Sequence, residues 1–194
     1  MTPSPLPADA ALRGHVITFC GNPFLMPPDA ALVDEPDGLV IIKAGRITHV
    51  GPYDRTVAHL PPDLAVTDYR GCLISAGFVD THVHYPQLPM IAAYGEQLLE
   101  WLERYTFPTE RRFADEAYAA TIARQFLSTL LRCGTTTAAV YCTVHPQSVD
   151  AFFSESTRLG TLMVAGKVLM DRNAPDYLRD TAQQGYDESL ALLE

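Results

Sequence analysis

From Gly77 onward the sequence alternates between two periodicities, and this restricts the folds open to it more than any other feature. "GFVDTHVH" (Gly77 to His84), "TTTAAVYCTV" (Thr135 to Val144) and "TLMVAGKVLM" (Thr161 to Met170) read as strands, rich in β-branched and apolar residues. Helical patterns lie between and after them. "EQLLEWLERY" (Glu96 to Tyr105) sets Leu98, Leu99, Trp101 and Leu102 at helical spacing. "DEAYAATIARQFLSTLLRCG" can start with Asp115 as N-cap, bury Ala119, Ile122, Phe126 and Leu130, and stop at Gly134. "SVDAFFSESTRLG" (Ser148 to Gly160) and a closing "DESLALLE" complete the series. Strand and helix in turn are the rhythm of βαβ crossovers, so the expected class is α/β with a parallel sheet and about three βα units. Three parallel strands with helices on one side leave apolar strand surface uncovered. The chain also ends within the apolar pattern Leu192-Leu193-Glu194, without a C-cap. The expectation is a fragment of a longer polypeptide, its second domain (71–194) incomplete.

The first 70 residues read differently. "HVITFC" (His15 to Cys20) is a short strand pattern, and "GLVIIKAGRITHVG" (Gly38 to Gly51) holds two such runs around Lys43-Ala44-Gly45-Arg46, a hairpin signal. Pro27, Pro28, Pro36, Pro61 and Pro62 are expected in the connections, and residues 1 to 10, with three prolines, as a loose arm. Residues 1–70 are therefore expected to form a small, mostly β domain. With 47% hydrophobic and 19% charged residues the chain is globular in composition. A formal net charge of -9, with no basic cluster longer than Arg111-Arg112, argues against a nucleic-acid or anionic-membrane partner and for a small molecule. Cys20, Cys72, Cys133 and Cys142 form no CxxC pair and the N-terminus has no signal-peptide pattern, so reduced thiols in the cytoplasm are expected. No apolar run approaches the 18 or so residues of a membrane helix.

His82 and His84 carry the chemistry. If the strand alternates regularly, Asp80, His82 and His84 share one face and Val79, Thr81 and Val83 the other. The histidines then stand at the C-terminal end of the strand, where parallel barrels place active sites. Two residues advance by about 6.6 Å, so both rings can reach a zinc near the strand end through bonds of about 2.0 to 2.1 Å. Spacing alone equally allows two histidines hydrogen-bonded in a core or pocket wall. Asp80 is read as a structural or outer hydrogen-bond partner, not a ligand. Two ligands are too few, and the only later histidine is His145, read either as a third ligand or pocket residue or as a loop residue at a helix start. Lys167 could bridge metals if carboxylated; the plainer reading puts it at a strand end, reaching for water. Trp101, Tyr105 and Phe107 form an aromatic stripe suited to core packing or to stacking on a flat heterocycle. Competing motifs fail: "GTLMVAGKV" has one residue too many between its glycines for a phosphate loop, and GxGxxG, HExxH, GxSxG and PCxxC are absent.

With these residues set out, "SAGFVDTHVH", preceded by a small β-rich domain, resembles the first barrel strand of the amidohydrolase superfamily. Within that superfamily, "DTHVHYPQ", "LLEWLERYTFPTERRF", "GTTTAAVY" and "VAGKVLMD" are similar in order and spacing to the guanine deaminase family, from Ser75 to Asp171. The resemblance implies the start of a (β/α)8 TIM barrel and a metal-dependent hydrolase of purine catabolism, deaminating guanine to xanthine and ammonia. It implies one zinc ion per full-length chain, on His82 and His84 joined by two later histidines and an aspartate that this sequence does not contain. It makes His84, Tyr85, Pro86 and Gln87 the substrate-contacting run, with Gln87 bonding the purine. The arginine-phenylalanine pair and the glutamate proton shuttle of the family would lie downstream, so no catalytic acid or base is assigned within this chain. Family members commonly form homodimers, though nothing in the sequence locates an interface. Two alternatives stay open: another amidohydrolase acting on a different aminated heterocycle or cyclic amide, and a non-catalytic partial domain.

Overall fold

Four strands occupy the first half of the chain: β1 (Ala10–Phe19), β2 (Leu32–Lys43), β3 (Arg46–Pro52) and β4 (Val66–Ser75). In the computed structural model, which describes residues 8–194, they form one sheet in the order β3-β2-β1-β4. The β2–β3 hairpin is the one expected. Lys43 pairs with Arg46, and both turn residues have positive φ, 50° at Ala44 and 73° at Gly45. A two-residue turn of that hand matches the right-handed twist of the strands. Short helices α1 (Pro28–Ala31) and α2 (Tyr53–Thr56) fill connections.

Two expectations change here. β1 starts at Ala10 rather than His15, and the end of the supposed arm is tied to the hairpin: Gly45 N–H donates to Ala8 O and Ala44 N–H to Asp9 Oδ1, both at 2.7 Å. Residues 1–7 of that arm lie outside the described residues. Pro36 lies inside β2 and not in a connection. Gly14 pairs with Gly38 and Val16 with Glu35, so Pro36 and Asp37 stand against His15 alone, a bulge that accommodates the missing N–H. Along the chain the division between the two compact units falls between Ala76 and Gly77.

In the second unit β5 (Phe78–His84), β6 (Thr135–Tyr141) and β7 (Leu162–Gly166) form a wholly parallel sheet in that order. Gly77 lets β5 begin close to its neighbour, since a Cβ there would lie 2.1 Å from Thr136 Oγ1. The first helical pattern is longer than read: α3 (Leu98–Trp101), a π turn (Leu102–Thr106) and α4 (Phe107–Glu110) follow without a break. Pro108 cannot donate a backbone hydrogen bond, and the widened turn falls just before it. α5 (Glu116–Arg132) begins as expected, with Asp115 accepting from Tyr118 N–H at 3.1 Å. α6 (Pro146–Leu159) ends at left-handed Gly160, and α7 (Ala182–Ala191) starts earlier than the apolar pattern because Thr181 caps Gln184 N–H.

The core lies between α5, α6 and one face of this sheet. Phe126 and Leu127 of α5, Phe152 of α6, Ala138 and Val140 of β6 and Met163 of β7 are buried together. Each large side chain so enclosed contributes about 1.5–3 kcal/mol. Arg124 of α5 and Arg158 of α6 both bond the Glu155 carboxylate at 2.8 Å, joining the two helices over that core. The opposite face stays open among the described residues, with Val79, Leu162 and Val164 about two-thirds exposed.

Candidate metal centre

β5 does not alternate regularly. Asp80 pairs with Ala138 and Val83 with Val140, so Thr81 and His82 stand together against Ala139. A bulge of this kind puts one extra residue on one strand and turns the pleat locally. Its consequence corrects the expected facing: Asp80 aligns with buried Ala138 and leaves the row that carries the histidines. Asp80 Oδ1 instead accepts the backbone N–H of His82 at 3.0 Å, holding the bulge. His84 pairs with Tyr141, the last residue of β6.

The two imidazoles converge. His82 Nε2 and His84 Nε2 are 3.3 Å apart, with ring centroids at 5.3 Å. Two nitrogens bound to one tetrahedral zinc at about 2.0 to 2.1 Å would be separated by about 3.3 Å, so the pair fits two corners of such a site. Tyr141 supplies a wall: its ring stacks on His84 with centroids 4.6 Å apart and planes 11° from parallel, and lies 4.9 Å from His82. Burial, and then the neighbouring His82, hold the His84 pKa below its ordinary value. This favours the neutral ring that coordination requires. Among the described residues no third His, Cys, Asp or Glu joins them.

The 3-10 turn Tyr85–Met90 follows His84 directly and sorts the expected substrate-contacting run. Tyr85 points into the helix-side core, edge-on to Phe113 at 5.2 Å, and its hydroxyl donates to Ser148 O at 2.6 Å. Pro86 is fully buried beside it. His84 and Gln87 are the members with partly exposed side chains. Glu110 is buried at the end of α4, which packs against this turn. Burial pushes the Glu110 carboxyl up to about 7.

Other candidates find different places. His145 is the residue before α6; its carbonyl accepts from Ser148 Oγ at 2.7 Å, while its ring lines a small cavity with Asp180 and Glu188. Lys167 neither bridges a site nor reaches water. Its side chain is 1% exposed and bonds Asp180 Oδ2 at 2.9 Å and Glu188 Oε2 at 2.6 Å, because the segment after β7 folds back over it. Trp101, Tyr105 and Phe107 are half-buried, and Trp101 Nε1 donates to Ala93 O at 2.9 Å. Sequence reasoning missed Tyr141 and Glu110. Tyr141 was findable as the last β6 residue in the register of His84; nothing local marks Glu110, which is buried only by tertiary packing.

A parallel sheet with two convergent histidines at the end of its first strand is an arrangement suited to holding a metal ion. The chain belongs to the amidohydrolase family, whose sequence profile matches residues 73–193. It is 55% identical over 158 residues to the guanine deaminase of Escherichia coli, an alignment covering 81% of this chain and 36% of that protein. Among solved structures, E. coli guanine deaminase superposes with a TM-score of 0.87 at 50% identity, over 95% of this chain and 43% of that one. Guanine deaminase from C. acetobutylicum, with bound guanine in its active site, superposes with a TM-score of 0.77 at 26% identity, over 95% and 42%. The chain thus spans about two-fifths of the length of these relatives.

Proposed function

We propose that the whole protein carrying this sequence is a zinc-dependent guanine deaminase that hydrolyses guanine to xanthine and ammonia. The observation that carries this reading is the convergence of His82 and His84 Nε2 to 3.3 Å at the end of β5, directly before the turn that carries partly exposed Gln87. The similarity to guanine deaminases through this segment supports guanine over other aminated heterocycles. The four cysteines are unpaired, which supports a cytoplasmic setting. No helix among the described residues is long and apolar enough to cross a membrane.

His82 and His84 would hold part of the zinc coordination sphere, through neutral Nε2 atoms whose spacing fits it. What zinc supplies when bound is Lewis acidity, enough to make water a nucleophile near neutral pH. The Tyr141 ring packs on His84 and restricts its rotation. Gln87 offers an amide donor and an acceptor to a purine edge, orienting the ring so that the carbon bearing the exocyclic amine faces the histidines. The remaining ligands and the groups that move protons are assigned outside residues 1–194.

In the whole protein, His82→Ala and His84→Ala are expected to lose most bound zinc and to lower guanine kcat/KM by more than the ~10- to 100-fold typical of removing an outer partner. Gln87→Ala is expected to keep its zinc and lose about tenfold or more in kcat/KM, the worth of one oriented hydrogen bond. Metal analysis beside steady-state kinetics reads both. Full guanine turnover by zinc-free protein would reject the reading.

A further inference from the structure

Arg13, Arg70, Arg124 and Arg158 each pair with a carboxylate, and Arg111 and Arg112 lie over tyrosine rings; among the described residues Arg55 of α2 has neither kind of partner. It lines a cavity of about 310 Å³ in the first unit, together with His49 of β3 and His59 of the 3-10 turn Val57–His59. The two imidazoles stack, with centroids 4.3 Å apart and planes 13° from parallel. Thr56, 6% exposed, also borders the cavity, and no carboxylate among the described residues does. Gly51 lets α2 come this close to the end of β3, since a Cβ there would lie 2.9 Å from Thr56 Oγ1.

We propose that this cavity binds a phosphate group, as the free ion or as a monoester, through Arg55, His49 and His59. A guanidinium presents its donors in a planar fork that matches phosphate oxygens. Each imidazole carries an N–H donor whether neutral or protonated. A phosphate has enough oxygens to accept from all of these side chains, whereas a carboxylate offers only its pair. A metal ion fits less well. Imidazole lone pairs lie in the ring plane, so near-parallel rings hold them side by side, while the His82 and His84 rings are tilted by 48° and bring their Nε2 atoms to 3.3 Å. The Arg55 charge also opposes a cation in the same cavity.

A chain of formal net charge -9 does not draw anions in from a distance, so the ligand must be held by local contacts. Arg55, His49 and His59 are exposed, which makes those contacts sensitive to salt and the affinity modest. The cavity is at the lower end of the range for small-molecule sites, about 300–1,000 Å³. Its ligand-holding residues all lie between His49 and His59, so the proposal does not rest on the guanine reading above.

The test uses the whole protein labelled with 15N-histidine, the His49 and His59 ring signals being identified by their loss in His49→Gln and His59→Gln. With inorganic phosphate added at fixed pH and constant ionic strength, both signals should move and saturate, with half-saturation at roughly 1 mM, the affinity of a few charge-assisted contacts at an open site. Arg55→Ala should raise that concentration about tenfold or more, and Arg55→Lys should recover part of the loss. Arg55 is exposed, so neither replacement removes a core side chain. Adenosine monophosphate saturating the same signals at lower concentration than phosphate assigns the ester as ligand, and the reverse order assigns the free ion. Signals that stay still, that move equally with acetate, or that respond to phosphate as strongly in Arg55→Ala overturn the proposal.

Discussion

His84 is held from two sides, by the flat face of Tyr141 and by the nearby Nε2 of His82, so its ring has little freedom before any ligand arrives. Glu110 is the counterpart on the neighbouring turn, a group whose properties come from burial. Its folded-state pKa of about 7 lies above the ordinary 4.5, so the folded protein retains a proton that the unfolded chain gives up. The stability associated with the neutral carboxyl is fully present below about 4.5 and is lost as pH rises through about 7. Comparing Tm of wild type and Glu110→Gln between those limits should show wild type falling relative to the variant, by at most a few kcal/mol for a shift of this size. Parallel Tm profiles would show that Glu110 does not titrate between the two limits.

Among the elements, the β5 bulge has the most specific consequence. It needs an acceptor for the His82 N–H, which Asp80 supplies at 3.0 Å. Asp80→Asn retains that oxygen and should keep zinc, whereas Asp80→Ala leaves the N–H without its partner, costs about 1 kcal/mol and should weaken zinc retention. Metal analysis after dialysis against a chelator distinguishes the two; equal retention would mean that the bulge holds itself. Element order was legible in the sequence: each strand of the parallel sheet, the α5 cap at Asp115 and the hairpin turn at Gly45 are specified by neighbours a few residues apart. The bulge was not, because register depends on pairing with β6, dozens of residues away. The helical run through Pro108 escaped for a related reason, its π turn reconciling the proline with packing against the Tyr85–Met90 turn.

At the scale of the whole molecule, helices cover the sheet of the second unit on one side only among the described residues. Val79, Leu162 and Val164 leave the other side apolar and open, and parallel sheets are stable when both faces are buried. Expressed by itself, the 194-residue chain should bind the dye ANS strongly and turn over no guanine, while the whole protein should do the reverse. A monomeric, dye-inert chain would show that this face needs no cover. The sequence by itself determined the α/β rhythm, the hairpin and the i, i+2 spacing of the histidines, since periodicity and turn chemistry act within a few residues. Only the tertiary structure decided that Asp80 leaves the histidine row, that Tyr85 enters the core, and that Lys167 is sealed between two carboxylates. Burial and register are set by groups distant in sequence, whose meeting no local pattern records.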